Sequence, residues 1–462
     1  MRAPLTRTPR FAALLVGLGL FTAAAHAQVV GEVEFSRGVG FAQTGGQTPR
    51  TLGKGLALSE GDRLTTSEGA SAIIKLQDGT RMTVRPNSEM VISQYQFKEN
   101  APDNSMLMQL VRGGFRAVTG AISKNAPNAA RVQTNTATIG IRGTDFDARL
   151  CTRDCGRESA AVSEAARPNA VLASAKVIQS GGDVNAVDAQ NQRRRLVDGG
   201  SVYPGDVIET GPGARAVLAF RDDSRMTLGA NTRFRIDNFV YDEQNAGEGR
   251  MLASILRGSV RALTGLIAKA NQRNVGFSTA TATIGVRGTG FDVSCTGVCA
   301  GEPPTAGQTG SGLTLFTWLG SIAVTPQGQT ALQVLQAGQG IFISPQGIRP
   351  VTTQPPAEGT RPDQVNVPPK LFAKASTGAD TQEGLFVFVR DGHIEVQTQN
   401  TGEVLHLGKG EAGFANPQGE TQRPATIPKF ITNDQTPQPT TKNPLLQSVL
   451  ADAGIKPSNQ CK

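Results

Sequence analysis

Histidine is almost missing from this chain. There are three in 462 residues, and His26 falls in the N-terminal leader, so only His393 and His406 remain. Neither has Glu-x-x-His spacing or a neighbouring cysteine, whereas a zinc site or a general base needs clustered ligands or a paired nucleophile. Both read as surface or strand-edge residues. No Gly-x-Ser-x-Gly elbow and no phosphate-cradling glycine loop occurs either. The chain therefore reads as a non-enzyme with no catalytic residues, no metal and no cofactor. Aromatics are scarce too: one tryptophan and three tyrosines leave little on which a sugar face can stack. At 5% of residues they are also too few for the two interfacial girdles of a transmembrane barrel. Beyond residue 28 no apolar run approaches the ~20 residues of a membrane-spanning helix.

What is present begins with a leader. Arg2, Arg7 and Arg10 precede the apolar stretch Phe11 to Ala25, and Ala25-His26-Ala27 is a small-x-small cleavage site. This is the pattern of a Sec-type signal peptide, residues 1–27, and it predicts a periplasmic or secreted product. No cysteine lies at the cleavage site, so no lipid anchor is expected. The formal charge is +8; the leader's three arginines account for three of these, leaving +5. The cluster Arg193-Arg194-Arg195 lacks interleaved aromatics, so a nucleic-acid partner is not expected.

The chain is rich in glycine (54 residues) and contains one block twice. Residues 106–147 read MLMQLVRGGFRAVTGAISK…VQTNTATIGIRGTDFD, and residues 251–292 read MLASILRGSVRALTGLIAK…FSTATATIGVRGTGFD, 145 positions later. A fixed offset indicates a duplicated folding unit. A second repeat surrounds it. Glycine followed by a strand-like stretch and Leu-x-x-Gly occurs at Gly38…Leu52, Gly182…Leu196, Gly320…Leu335 and Gly392…Leu407, with spacings of 14, 14, 15 and 15. The first two copies lead into Gly61-Asp62 and Gly205-Asp206, then into alternating stretches over 72–84 and 216–228 broken by Asp-Gly-Thr or Asp-Asp-Ser. Alternation, β-branched content and turn punctuation predict short strands. The fold class is all-β: tandem β-solenoid-like or rolled β-sandwich modules with hairpin repeats. Modules are expected at 28–170 and 171–345, with the hairpin at 174–199 closing the first and opening the second. Pro, Thr and Gln mark a linker at 346–384. A partial hairpin at 385–415 is expected to stand alone. A tail follows at 416–462, disordered or wrapped on the body, with one short helix at 445–453.

The ordered set Gly-Asp-x-[Leu/Ile]-x-Thr, Asp-Gly-Thr-x-Met-Thr-Val, Arg-Gly-x-x-Arg-x-[Val/Leu]-Thr-Gly and Ala-Thr-Ile-Gly-[Ile/Val]-Arg-Gly-Thr-x-Phe resembles the FecR domain, over 29–150 and 174–345 with an echo at 385–415. The resemblance implies an all-β, solenoid-like periplasmic module without catalytic residues. The regulator that gives the family its name has a cytoplasmic anti-sigma segment and a transmembrane helix, and a leader stands in their place here.

Three groups of residues invite a chemical reading. Arg142-Gly143-Thr144 and Arg287-Gly288-Thr289 form either a strand bend, with glycine permitting a bulge, or an exposed guanidinium fork that grips a partner; the bend is favoured. Asp145, Asp147 and Asp292 read as turn and edge carboxylates, because position 145 matches Gly290. Cys151/Cys155 and Cys295/Cys299 are disulfide candidates in an oxidising compartment, with one zinc shared by four thiolates as the alternative. Cys461 is left over. Together these features predict an exported scaffold for a protein or cell-envelope partner. The alternatives are a component of a FecR-type iron-uptake or transmembrane signalling pathway acting through a separate membrane partner, and an envelope polysaccharide-binding protein.

Overall fold

The glycine-punctuated alternating stretches form strands because each places β-branched or aliphatic side chains on one face only. In Arg63–Thr66, Leu64 and Thr66 point inward, and in the matching Val207–Thr210, Ile208 and Thr210 do. The computed structural model describes residues 28–126, 129–303, 311–354, 359–373 and 382–440. The leader, Cys461 and the helix expected at 445–453 lie outside the described residues. The described chain is mostly β, arranged as two sheets of 15 strands each, neither of them closed, and one two-stranded ribbon that pairs Arg167–Pro168 with Thr426–Ile427.

The two sheets have the same strand order, but they do not divide the sequence in two. In the sheet over the second repeat, the long strand Ala282–Thr296 pairs antiparallel with Gly312–Pro326, from Ala282↔Pro326 to Thr296↔Gly312. In the sheet over the first repeat, the matching strand Ala137–Cys151 pairs with Gly384–Thr398, from Ala137↔Thr398 to Cys151↔Gly384. The hairpin expected to stand alone thus completes the first module. Leu385, Val387, Val389, Ile394, Val396, Leu405 and Leu407 are part of that module's core. The whole second module, strands Ala175–Gly181 to Gly347–Val351, is inserted between the body of the first and its closing hairpin. The hairpin at 174–199 belongs to the second sheet alone. The physical reason is that an open edge on Ala137–Cys151 would expose a long row of unpaired N–H and C=O groups, and only the distant strand covers it.

The described residues of the segments read as linker and tail lie against the body, the tail in the wrapped form of its two expected states. Gly347–Val351 is a strand paired with Gly340–Ser344. Thr227 Oγ1 donates to the Thr360 carbonyl at 2.8 Å, and its counterpart Thr83 Oγ1 donates to Pro437 at 2.7 Å. Each module is therefore crossed by the chain that follows its own closing hairpin. Arg85 anchors the second of these crossings through Asp434 (3.1 Å) and the Phe430 carbonyl (2.8 Å).

The short motifs are the knots of the sheets. Asp78 accepts from Thr80 N and Thr80 Oγ1, and Thr80 Oγ1 accepts from Gly120 N at 2.9 Å. Asp222, Ser224 and Gly265 repeat the arrangement. A Cβ on Gly265 would overlap the Asp222 carbonyl. We expect Gly265→Ala to destabilise the protein by about 1–3 kcal/mol, the usual range for overpacking, read from urea unfolding.

Candidate functional site

The Arg-Gly-Thr corner is built identically in both modules up to its arginine. Register shifts occur between Arg142 and Asp145 and between Arg287 and Gly290. Gly143 (φ +62°) and Gly288 (φ +63°) take the left-handed conformation that glycine allows without strain. The threonine then locks the bulge. Thr144 N donates to Thr119 Oγ1 at 2.7 Å and Thr144 Oγ1 to the His393 carbonyl at 2.9 Å. Thr289 makes the same two bonds, to Thr264 Oγ1 at 2.9 Å and to the Ser321 carbonyl at 2.8 Å.

The arginines differ. Arg142 is nearly covered, pairs with Glu395 at 2.8 Å and donates across to the Asp198 carbonyl of the second module at 3.3 Å. Arg287 is exposed; the position that corresponds to Glu395 is Ala323 in this module, not a carboxylate. Beside it lies a half-open cleft of about 430 Å³ lined by Gly288, Thr289, Lys269, Arg225, Asp363 and Leu319, among others.

The three carboxylates past the motif are each held by an arginine. Arg116 forks onto Asp145 (2.9 and 3.1 Å), and Arg390 takes Asp147 at 2.7 Å. In the second module Arg261 forks onto Asp292 (2.7 and 3.1 Å). Position 290 is glycine there, with the Trp318 ring packed over it. Burial pushes the Asp147 carboxyl up, against the pull of Arg390. The basic cluster is similarly engaged: Arg193 pairs with Glu209 and Arg194 with Asp206.

Both cysteine pairs form disulfides, Cys151–Cys155 and Cys295–Cys299. They lie 144 positions apart while the block repeats at 145. A one-residue step turns a strand side chain to the opposite face. Cys295 and Cys299 accordingly sit in the main core of the second module, whereas Cys151 and Cys155 join Phe386, Phe414, Phe430 and Ile431 in a separate cluster. Among the described residues no group of His, Cys, Asp and Glu could hold a metal ion.

A fully buried charge cluster lies where the modules meet, and no motif in the sequence announced it. Lys176, on the first strand of the second module, donates to Glu411 Oε2 at 2.8 Å and to the His406 carbonyl at 3.1 Å. Arg423 approaches the same carboxylate oxygen at 3.4 Å. All three side chains are at most 1% exposed. Burial pulls Glu411 up, but Lys176 and Arg423 outweigh it and hold the carboxyl below its usual range. Burial pushes Lys176 down to about 8, against the attraction of Glu411. His393 and His406 stack beside the cluster with ring centroids 5.5 Å apart. His406 lies on an edge strand, one of the two settings expected, and is partly covered; His393 lies on an inner strand and is buried, and the second module packs against the pair. A Cβ on Gly199 would overlap the His406 ring. Lys409 N donates to Tyr203 Oη at 2.8 Å across the same junction.

Two like-built open β modules, joined through a buried ionic junction, define a tandem-module, mostly β protein. Residues 62–164 and 206–302 match the family model described as FecR protein, so the chain carries two FecR regions. A search of the curated proteins finds no match. Two crystal structures, at 1.65 and 2.50 Å resolution, of a candidate anti-sigma factor from Parabacteroides distasonis ATCC 8503 share 16% identity with the chain at a TM-score of 0.24. That match covers 32% of this chain and 59% of the other.

Proposed function

We propose that the protein is an exported, non-enzymatic binding scaffold for a protein or cell-envelope partner, presented by the Arg-Gly-Thr corner of its second module. The observation that carries this reading is the contrast between the two corners. Arg142 is consumed in an internal ion pair and a junction contact, whereas Arg287 stands exposed beside a cleft. A guanidinium with no carboxylate opposite it keeps its fork available for a carboxylate, a phosphate or a backbone carbonyl. The paired carboxylates offer no free general acid or base, which fits binding better than catalysis. Two disulfides fit an oxidising compartment such as the periplasm. The family match supports a second reading, in which the scaffold serves a FecR-type signalling pathway through a separate membrane protein.

Crosslinking in intact cells, with partners identified by mass spectrometry, tests the proposal. Arg287→Ala is expected to leave stability within about 0.5 kcal/mol, as for ordinary surface changes, and to lose the partner. Arg142→Ala is expected to cost about 1.5–3 kcal/mol, the range for hydrogen bonds to charged groups. Equal partner recovery from wild type and Arg287→Ala would overturn the assignment of the corner.

A further inference from the structure

The junction between the modules is head-to-tail: the opening hairpin of the second module packs on the closing hairpin of the first. On the opening side Lys176, Gly199 and Ser201 are buried; on the closing side His393, Gly408 and Glu411 are. Because the modules match strand for strand, every one of these positions has a counterpart at the outer ends of the molecule. Strand pairing sets Glu32 and Ala57 of the first module in the places of Lys176 and Ser201. It sets Val334 and Gln336 of the second module in the places of His406 and Gly408. At the outer ends these positions are open: Glu32, Gly55 and Ala57 on one, Val334, Gln336 and Gln339 on the other. Val334 is 41% exposed and its neighbour Leu332 55%. Nothing lies within 4 Å of a Cβ built on Gly55, the counterpart of Gly199.

We infer that the opening hairpin of the first module docks on the closing hairpin of the second module of another copy of this chain, repeating the internal junction between molecules. The inference deepens the scaffold reading, since it names a second copy as one partner of the closing end.

Charge permits this occupant. At the internal junction Lys176 and Arg142 both act on the stacked histidines, and their like charges are separately neutralised by Glu411 and Glu395. At the outer ends Lys176 becomes Glu32, the Asp198 position becomes Lys54 and the Arg142 position becomes Arg287. The contact then holds two cations, with Glu32 as the acid that offsets them. Shape supports this occupant directly. Gly55 keeps the side-chain-free surface that admits His406 at the internal junction, and Val334 stands in the histidine's place as an apolar knob. The buried ion triad has no counterpart, because Gln339 replaces Glu411 and the Lys176 position is Glu32. Association between copies is therefore weaker than docking within one. The contact joins two different surfaces, so it leaves a free surface at each end and propagates instead of stopping at a dimer.

Sedimentation velocity on the full-length purified protein, over a concentration series, reads this directly. The weight-average mass is expected to climb past the dimer with concentration. Glu32→Arg, which sets a third cation beside Lys54 and Arg287, and Val334→Asp, which puts a charge in the place of the apolar knob, should each abolish the climb. In a Cys461→Ser background, Ala57→Cys together with Gln336→Cys should give a ladder of disulfide-linked multimers under oxidation, because the matching Ser201 and Gly408 touch at the internal junction; neither single variant should. A folded protein of constant monomer mass, or an assembly that ends at a symmetric dimer crosslinked through Ala57→Cys alone, would overturn the inference. A constant monomer that still captures an envelope partner through Arg287 would remove the self-docking and leave the scaffold reading in place.

Discussion

Replacing Glu411 by alanine should be among the most damaging single changes in the protein. It would leave Lys176 and Arg423, both essentially inaccessible to water, with no counter-charge between them. Taking two cations out of water costs several kcal/mol, and the shared carboxylate offsets that desolvation only while it is present. The expected loss is about 3–5 kcal/mol, a large part of the ~5–15 kcal/mol that stabilises an ordinary domain. Lys176→Met should cost much less, because it removes one buried cation and keeps the Glu411–Arg423 contact. Urea unfolding of the two variants makes the comparison. A Glu411→Ala protein within 1 kcal/mol of wild type would mean that water reaches the cluster and the ion triad does not hold the junction.

Acidification should loosen the same junction. Burial, reinforced by Lys176, Arg142 and Arg423, lowers His406 to about 4, and burial with His406, Arg142 and Lys176 lowers His393 well below 6.5. The docked form therefore excludes protons that the separated form accepts below pH 6.5. The histidine contribution is full above that pH and falls as pH drops from about 6.5 towards 4, by about 1.4 kcal/mol per unit for His406, with His393 acting in the same direction. At pH 5 His406 alone costs about 2 kcal/mol, and His393 adds to the loss. Glu411, held below its usual range, acts in the same direction only in the more acidic part of this range. The groups that face the pair are Lys176, Arg142, Glu395, Glu411 and Arg423. Thermal melts between pH 8 and 5 should show the decline, and the double variant His393→Phe, His406→Phe should flatten it. A melting profile that is level over that interval would show that the histidines are not sealed.

The all-β character was legible because each strand carries its own alternation, and the Asp-Gly-Thr and Arg-Gly-Thr knots are local in sequence. The nesting of one module inside the other was not legible in that way. Arg142 and Glu395 are 253 positions apart, and no local pattern reports which edge a distant hairpin covers. One trace of it was present. The two hairpins with a Gly-to-Leu spacing of 14 open the modules and the two with a spacing of 15 close them, so the order along the chain is open, open, close, close. The junction left less. Lys176 in Ala-Lys-Val looks like the solvent-facing residue of a half-buried strand, as its counterpart Glu32 is. A histidine on a hairpin gives no sign that another module will cover it. The disulfide faces were hidden for a different reason: the step from 145 to 144 is one residue, and in a strand one residue decides which core a side chain enters.

The nested topology reverses the order in which the chain can mature. Residues 28–151 emerge first but lack the strand that saturates their last edge, so they cannot finish folding when they appear. The second module holds all fifteen of its strands within one continuous stretch and can be complete while the first is still waiting. Until Gly384–Thr398 arrives, the first module carries a long open edge of the kind that recruits stray strands. A chain cut off after residue 351 would keep a whole second module and lose the first, so the earliest-made part of this protein depends on nearly the last.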